Sequence, residues 1–198
     1  MKKVCSWPKG EPLMVKYHDK EWGKPVRRDR KIFEFLVLES AQAGLSWLTI
    51  LRKREGYRHA FADFEPSSVA RFSAQDISRL TKNRNIIRNR LKIEAAINNA
   101  KRFLEVQKEF GTFSKYMWSF VKGRPIDGKR QSLKDLPATS KESETFTKDL
   151  KRRGFKFLGP IVIYAHMQAV GMVNDHVLSC FRHKELKTVK SCFMSTRE

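Results

Sequence analysis

The sequence of 198 residues contains no run of 18 apolar residues, so a membrane-spanning helix is not expected. Its start, MKKVCSWPKG, has no long apolar segment after the lysines, so no secretory signal is expected. Cysteine is scarce: three residues, an odd number, make a poor disulfide framework, and a reducing, cytoplasmic setting is the expectation. Internal repeats and low-complexity tracts are absent. No segment reads as a helix basic on one face and uniformly apolar on the other, which argues against a membrane surface as partner. Acidic residues are also few. Against 41 Lys plus Arg stand 21 Asp plus Glu, a formal net charge of +20. Nucleic acid is the partner this charge favours, because basic side chains release counterions from phosphates. A well-solvated basic protein is the alternative.

What is present suits one compact unit over residues 1–198, with room for two small lobes sharing a core. Forty per cent hydrophobic residues, 14 of them Phe, can fill that core. Helical signals dominate. Ile32, Phe35, Leu36 and Ala43 recur at helical spacing in DRKIFEFLVLESAQAG, with Gly44 as a stop. Ser73 with Asp76, and Thr139 with Glu142, form capping-box patterns ahead of two further helices. Ile93, Ala96, Ile97, Ala100, Phe103 and Leu104 line one side of a long helix. Pro160 opens PIVIYAHMQAVG and Gly171 closes it. The best strand candidate is the short FKFLG at 155–159. Residues 123–139 read as a loop. The expected fold class is all-α, a bundle of short helices.

Two Cys/His pairs stand at the two ends of the chain. In NDHVLSC, His176 and Cys180 are at i and i+4, and share one side if the segment is helical. Cys5 and His18 supply a second pair. Together they have the donor set of a tetrahedral Cys2His2 zinc site with every position filled by protein, and so a structural one. Spacing alone equally allows a core cysteine beside a satisfied histidine. Between residues 82 and 102, KNRNIIRNRLKIEAAINNAKR holds seven basic residues and one acidic. It reads as helix, hairpin and helix over about 75–103, with the hairpin near Asn83–Ile87. Backbone N–H groups at the start of the second helix suit a phosphate, though a solvated basic hairpin has the same pattern. Glu39 falls on the apolar face of its helix, seven after Ile32 and three after Leu36. Buried carboxylates have either a partner or a task, so Glu39 is a pocket residue or half of an ion pair with Arg.

Several runs together resemble the 3-methyladenine DNA glycosylase I family: YHDKEWG at 17–23, LESAQAGLSWLTIL at 38–51, IIRNRLKIEAAINNA at 86–100, WSFV at 118–121, KRRGFKFLGP at 151–160 and MQAVGMVNDHV at 167–177. They lie in order between about Cys5 and Cys180, so residues 181–198, with Cys192, fall outside them. The resemblance implies a helix-hairpin-helix DNA glycosylase fold with a zinc staple joining the N- and C-terminal segments through Cys5, His18, His176 and Cys180. It implies hydrolysis of the N-glycosidic bond of 3-methyladenine in double-stranded alkylated DNA by a monomer, with the free base as product. Glu39 and Tyr17 are then the catalytic residues, and Trp47, Trp7 and Trp22 offer faces for a cationic base. Gly44 and Leu45 match the segment that fills the gap left by the flipped base. Arg84, Asn85, Arg88 and Lys92 belong to the DNA-binding hairpin and helix. Asn85 stands where the family usually has Gly, which puts the hairpin geometry in question. The catalytic Asp that many helix-hairpin-helix glycosylases carry after the hairpin is absent from IEAAINNAKRF, in keeping with this family. Lys92 leaves a Schiff base conceivable, but nothing calls for one. The competing readings are a zinc-stapled DNA-binding module without activity and a zinc hydrolase. Four filled ligand positions disfavour the second, and the first has no need of Glu39.

Overall fold

The computed structural model describes residues 2–192. Its elements run α1 (Pro12–Lys20), α2 (Asp29–Gln42), α3 (Trp47–Ala60), α4 (Pro66–Val69), α5 (Ala74–Lys82), α6 (Arg90–Phe110), α7 (Phe113–Ser119), β1 (Ile126–Asp127), α8 (Lys141–Arg152), α9 (Pro160–Ala169), β2 (Val173–Asn174) and α10 (Phe181–Cys192). Short 3-10 turns occupy Ala62–Phe64 and Leu133–Asp135. The fold is mostly helical, as expected, with one two-residue parallel ladder pairing Ile126 with Val173 and Asp127 with Asn174.

Helix α2 is the axis of the molecule. Every residue from Ile32 to Ala41 is buried, which a one-sided apolar stripe does not produce. Helices α3, α6, α7 and α9 all pack against it. Ala43, expected on its apolar face, is instead exposed just beyond its C-terminus, because Gly44 takes φ +80 and turns the chain away. Along α6, Ile93, Ala96, Ile97, Ala100 and Phe103 are buried as their spacing requires, and Leu104 is half-buried. Phe103 stacks on Phe113 at 4.0 Å and meets Phe33 edge-on at 5.3 Å. The Ser73–Asp76 capping box opens α5, and Pro160 sits in the first turn of α9.

Three local expectations are corrected. The cap of α8 is Ser140 with Ser143, one residue beyond the Thr139–Glu142 pattern; Thr139 bonds Glu144 instead. FKFLG is not a strand. Phe157 within it has φ +57, outside strand geometry, and Asn99 of α6 binds the backbone on both sides of Lys156. HVLSC is not a helix either: residues 175–180 form a turn, and α10 begins after it.

Candidate active site

His176 and Cys180 still meet, because the turn brings them together. Cys180 Sγ lies 3.6 Å from both His176 Nδ1 and His18 Nε2, Cys5 Sγ lies 3.7 Å from His176 Nδ1, and the two histidine nitrogens are 3.1 Å apart. A tetrahedral zinc with bonds of about 2.3 Å to sulfur and 2.05 Å to nitrogen sets S···N near 3.6 Å and N···N near 3.3 Å. All four residues are buried, with their donor atoms within 4.8 Å of one another. The outer nitrogens explain the tautomers. His18 Nδ1 lies 2.7 Å from Asp19 Oδ1 and His176 Nε2 lies 3.0 Å from the Trp22 carbonyl. With both outer nitrogens donating, the inner two present lone pairs to each other, an arrangement that a bound cation stabilises. Cys180 is held well below the ordinary thiol range by a hydrogen bond from Cys5, against the cost of burial, with help from His176 and His18. The residues fit a Cys2His2 metal, and the cluster fastens α1 to the segment before α10.

The side chains beside this cluster wall a cavity of about 370 Å³, within the range of small-ligand pockets. Trp7, Tyr17, Trp22, Glu39 and Trp47 all line it. Trp7 follows Cys5 by two residues and Tyr17 precedes His18. Trp22 meets the His176 ring at 4.6 Å and Trp7 at 5.2 Å, both edge-on. Tyr17 and Trp47 are 5.2 Å apart. The indole nitrogens of Trp7 and Trp47 are buried without a hydrogen-bond partner. Met14, Gln42, Leu133, Leu136, Ala165 and Gln168 complete the lining. None of these was anticipated. Gln42 and Gln168 carried a signal, standing in LESAQAGLSWLTIL and MQAVGMVNDHV, whereas Leu133 and Leu136 come from the stretch read as loop.

Glu39 is 5 % exposed, on the cavity wall. Among the described residues it forms no ion pair. Burial alone pushes its carboxyl from 4.5 to about 8. The arginine pairing that a buried glutamate suggested belongs to Glu34, one and a half turns earlier on α2. Glu34 binds Arg54 at 2.7 Å and Lys31 at 2.9 Å, and Arg54 also grips Glu21 with both terminal nitrogens. Burial first, and then the charge of Glu39, raise Tyr17 well above its ordinary value, so its phenol stays neutral.

The basic segment forms α5, a turn over 83–89, and α6. The turn is anchored from α3: Lys53 Nζ donates to the Arg84 carbonyl at 2.7 Å, and Ile87 N donates to the Tyr57 hydroxyl at 3.2 Å. Ile86 is buried while Arg84 and Arg88 are exposed. Asn85 is not left-handed; its N–H donates to Asn83 Oδ1. The glycine the turn needs is Gly56 on α3, where a Cβ would collide with the Asn85 carbonyl. Lys92 does not point freely outward. Its Nζ donates to the carbonyls of Ala41 and Ala43 at 2.9 and 2.6 Å, capping α2 and bracing the turn that presents Gly44 and the 40 % exposed Leu45.

A profile described as methyladenine glycosylase matches residues 7–183. The chain belongs to the methyladenine glycosylase family. DNA-3-methyladenine glycosylase 1 of Escherichia coli K12 is 44 % identical over 176 residues, covering 89 % of this chain and 94 % of that one. The Haemophilus influenzae DNA-3-methyladenine glycosylase is also 44 % identical, covering 89 % and 95 %. A structure of the Staphylococcus aureus 3-methyladenine DNA glycosylase I, described in terms of 3-methyladenine recognition, superposes with a TM-score of 0.87 at 42 % identity, over 90 % of this chain and 95 % of that one. Within this methyladenine glycosylase, the aromatic cavity and three of the four Cys/His residues lie inside the matched span; Cys5 lies before it.

Proposed function

We propose that this methyladenine glycosylase hydrolyses the N-glycosidic bond of 3-methyladenine in double-stranded alkylated DNA, releasing the free base and leaving an abasic site. The observation that carries this reading is Glu39, a buried carboxylate with no cation of its own, on the wall of an aromatic cavity. Such a group is costly unless a ligand supplies positive charge or hydrogen bonds. An adenine methylated at N3 supplies both, and aromatic rings favour its charge. Because the methylated base is already cationic, it leaves readily. The protein's task is to extrude it, hold it and stabilise the bond-breaking state. Glu39 and Tyr17 face the base in this scheme, and Trp47, Trp7 and Trp22 form the walls.

Helix α5, the turn and α6 act as the helix-hairpin-helix grip on the backbone, with Arg84, Asn85 and Arg88 outward. Gly44 and Leu45 fill the vacated stack. Lys92 acts indirectly, by holding their turn. Zinc at Cys5, His18, His176 and Cys180 is structural: four protein donors leave no position for water. Bound there, it would anchor the segments carrying Trp7, Tyr17 and Trp22, and so brace the cavity. The protein acts as a cytoplasmic monomer of one unit.

A DNA-binding module without activity would keep the grip and the staple but has no use for an unpaired carboxylate in a cavity. The deciding experiment is release of free base from methylated duplex DNA, with a chelator present in parallel. Release of 3-methyladenine that survives brief chelation is expected. Tight DNA binding with no release would establish the module instead, and immediate loss on chelation would point to catalytic metal.

A further inference from the structure

Phe157 has an uncommon combination of features. It is 42 % exposed, it takes φ +57, and its ring pairs with no other aromatic among the described residues. A bulky residue is rarely left-handed, and where one is held so, the surroundings over-determine it. Here they do. On one side, Asn99 accepts from Lys156 N and donates to its carbonyl, both at 2.8 Å; Asn98 donates to the Gly154 carbonyl at 2.8 Å. On the other side Leu158 is buried. The ring between them is turned to solvent. Ile161, 63 % exposed, follows on the first turn of α9.

The loop's position relates it to the turn bearing Leu45. Lys92 braces the Leu45 turn and Asn99 braces the Phe157 loop. Residues 92 and 99 are seven apart on α6, so they share a side, about 10 Å apart along the axis. Both loops bearing these apolar tips are therefore braced from one side of the same helix. The flanking segments are rich in basic residues: KRRGFK at 151–156 has four and no acidic one, and 82–102 has seven against one, although Arg152 and Arg153 pair with Asp149 and Arg153 also with Glu109.

Resting on the glycosylase reading, we propose that Phe157 is a second wedge, entering the base stack of duplex DNA beside the site probed by Leu45. Its occupant is a partly unstacked base step, for which an exposed aromatic face on a basic surface is the matching chemistry. The stack on both sides of the lesion would then be held open, and extrusion made easier.

The test compares the parent with Phe157→Ala and Phe157→Gly. Glycine adopts φ +57 without strain, so Phe157→Gly should melt at or above the parental temperature. Single-turnover release of 3-methyladenine from methylated duplex should slow by about 5- to 100-fold in both variants. Release from methylated single strands, and binding of free 3-methyladenine, should stay parental. A second arm needs no turnover. Fluorescence of 2-aminopurine, placed in turn at each position within three pairs of an abasic analogue, should rise with the parent and not with the variants. Parental duplex release and parental fluorescence in both variants would overturn the wedge. So would losses of melting temperature and free-base binding that track the loss of release, since Phe157 would then be a packing residue. A parent that unstacks 2-aminopurine through Phe157 but releases no base would uphold the wedge and sink the glycosylase reading.

Discussion

Glu39 and Glu34 sit on one helix, both buried, with opposite circumstances. Glu34 is neutralised by Arg54 and Lys31, while the raised value of Glu39 comes from burial alone. Between the ordinary 4.5 and about 8, the folded chain holds a proton on Glu39 that the unfolded chain has released. The folded state therefore loses stability as pH rises through that window, and the loss levels off above about 8. Glu39→Gln removes the dependence. Its melting temperature should match the parent near pH 4.5 and exceed it increasingly towards pH 8, a gap corresponding to several kcal/mol. The same variant keeps the shape of the pocket but cannot take on the negative charge that a cationic base would draw out of Glu39 by displacing its proton. Single-turnover release should fall on the order of 10–1000-fold, or roughly 1.4–4 kcal/mol of transition-state stabilisation. Parental release would show that Glu39 neither recognises nor activates the base. A variant that melts lower throughout would make Glu39 a structural partner instead.

The element that sets DNA affinity is the turn between α5 and α6. Its shape is maintained by groups that do not face outward: Tyr57, Lys53, the buried Ile86 and the space above Gly56. Among the described residues, the side chains of Arg84 and Arg88 take no part in this bracing. Replacing both with Ala should weaken binding to any sequence and reduce the slope of log affinity against log salt by about 2, one for each phosphate no longer neutralised. Stability should change by no more than about 0.5 kcal/mol per site. An unchanged slope, measured by titration across a range of salt, would place the DNA face elsewhere. Lys92 differs in kind. It is half-buried, burial lowers its affinity for the proton, and its bonds go to the end of α2, so its charge serves the Leu45 turn.

At the scale of the whole molecule, the Cys/His cluster joins positions 5 and 180 and abuts the pocket. Its two histidines are oriented by Asp19 and the Trp22 carbonyl. Trp22, by its ring, also packs on Trp7 in the cavity wall. Metal content, stability and base binding are therefore linked. Elemental analysis should find one zinc per chain. Cys180→Ala should lose it, with a stability loss on the order of several kcal/mol and weaker binding of free 3-methyladenine. Carefully purified parent that contains no metal would refute the staple.

The residues by themselves determined the helical character, the extent of α6, the cap of α5 and the opening of α9. All of these rest on periodicity and capping, which operate over a few positions. They also singled out Glu39 and the four Cys/His residues, because rare residue types in apolar or paired settings stand out in a one-dimensional pattern. Tertiary structure decided what depends on chain return. It assigned the arginine to Glu34, since Arg54 arrives from α3. It joined His176 to Cys180 through a turn where i, i+4 spacing suggested a helix. It let Asn85 occupy its turn because Gly56, 29 positions earlier, yields the space. It brought Leu133 and Leu136 over the cavity from a stretch without periodicity. Apart from the local His176–Cys180 turn, each is a meeting of segments far apart in sequence, and packing density, not local propensity, selects such meetings.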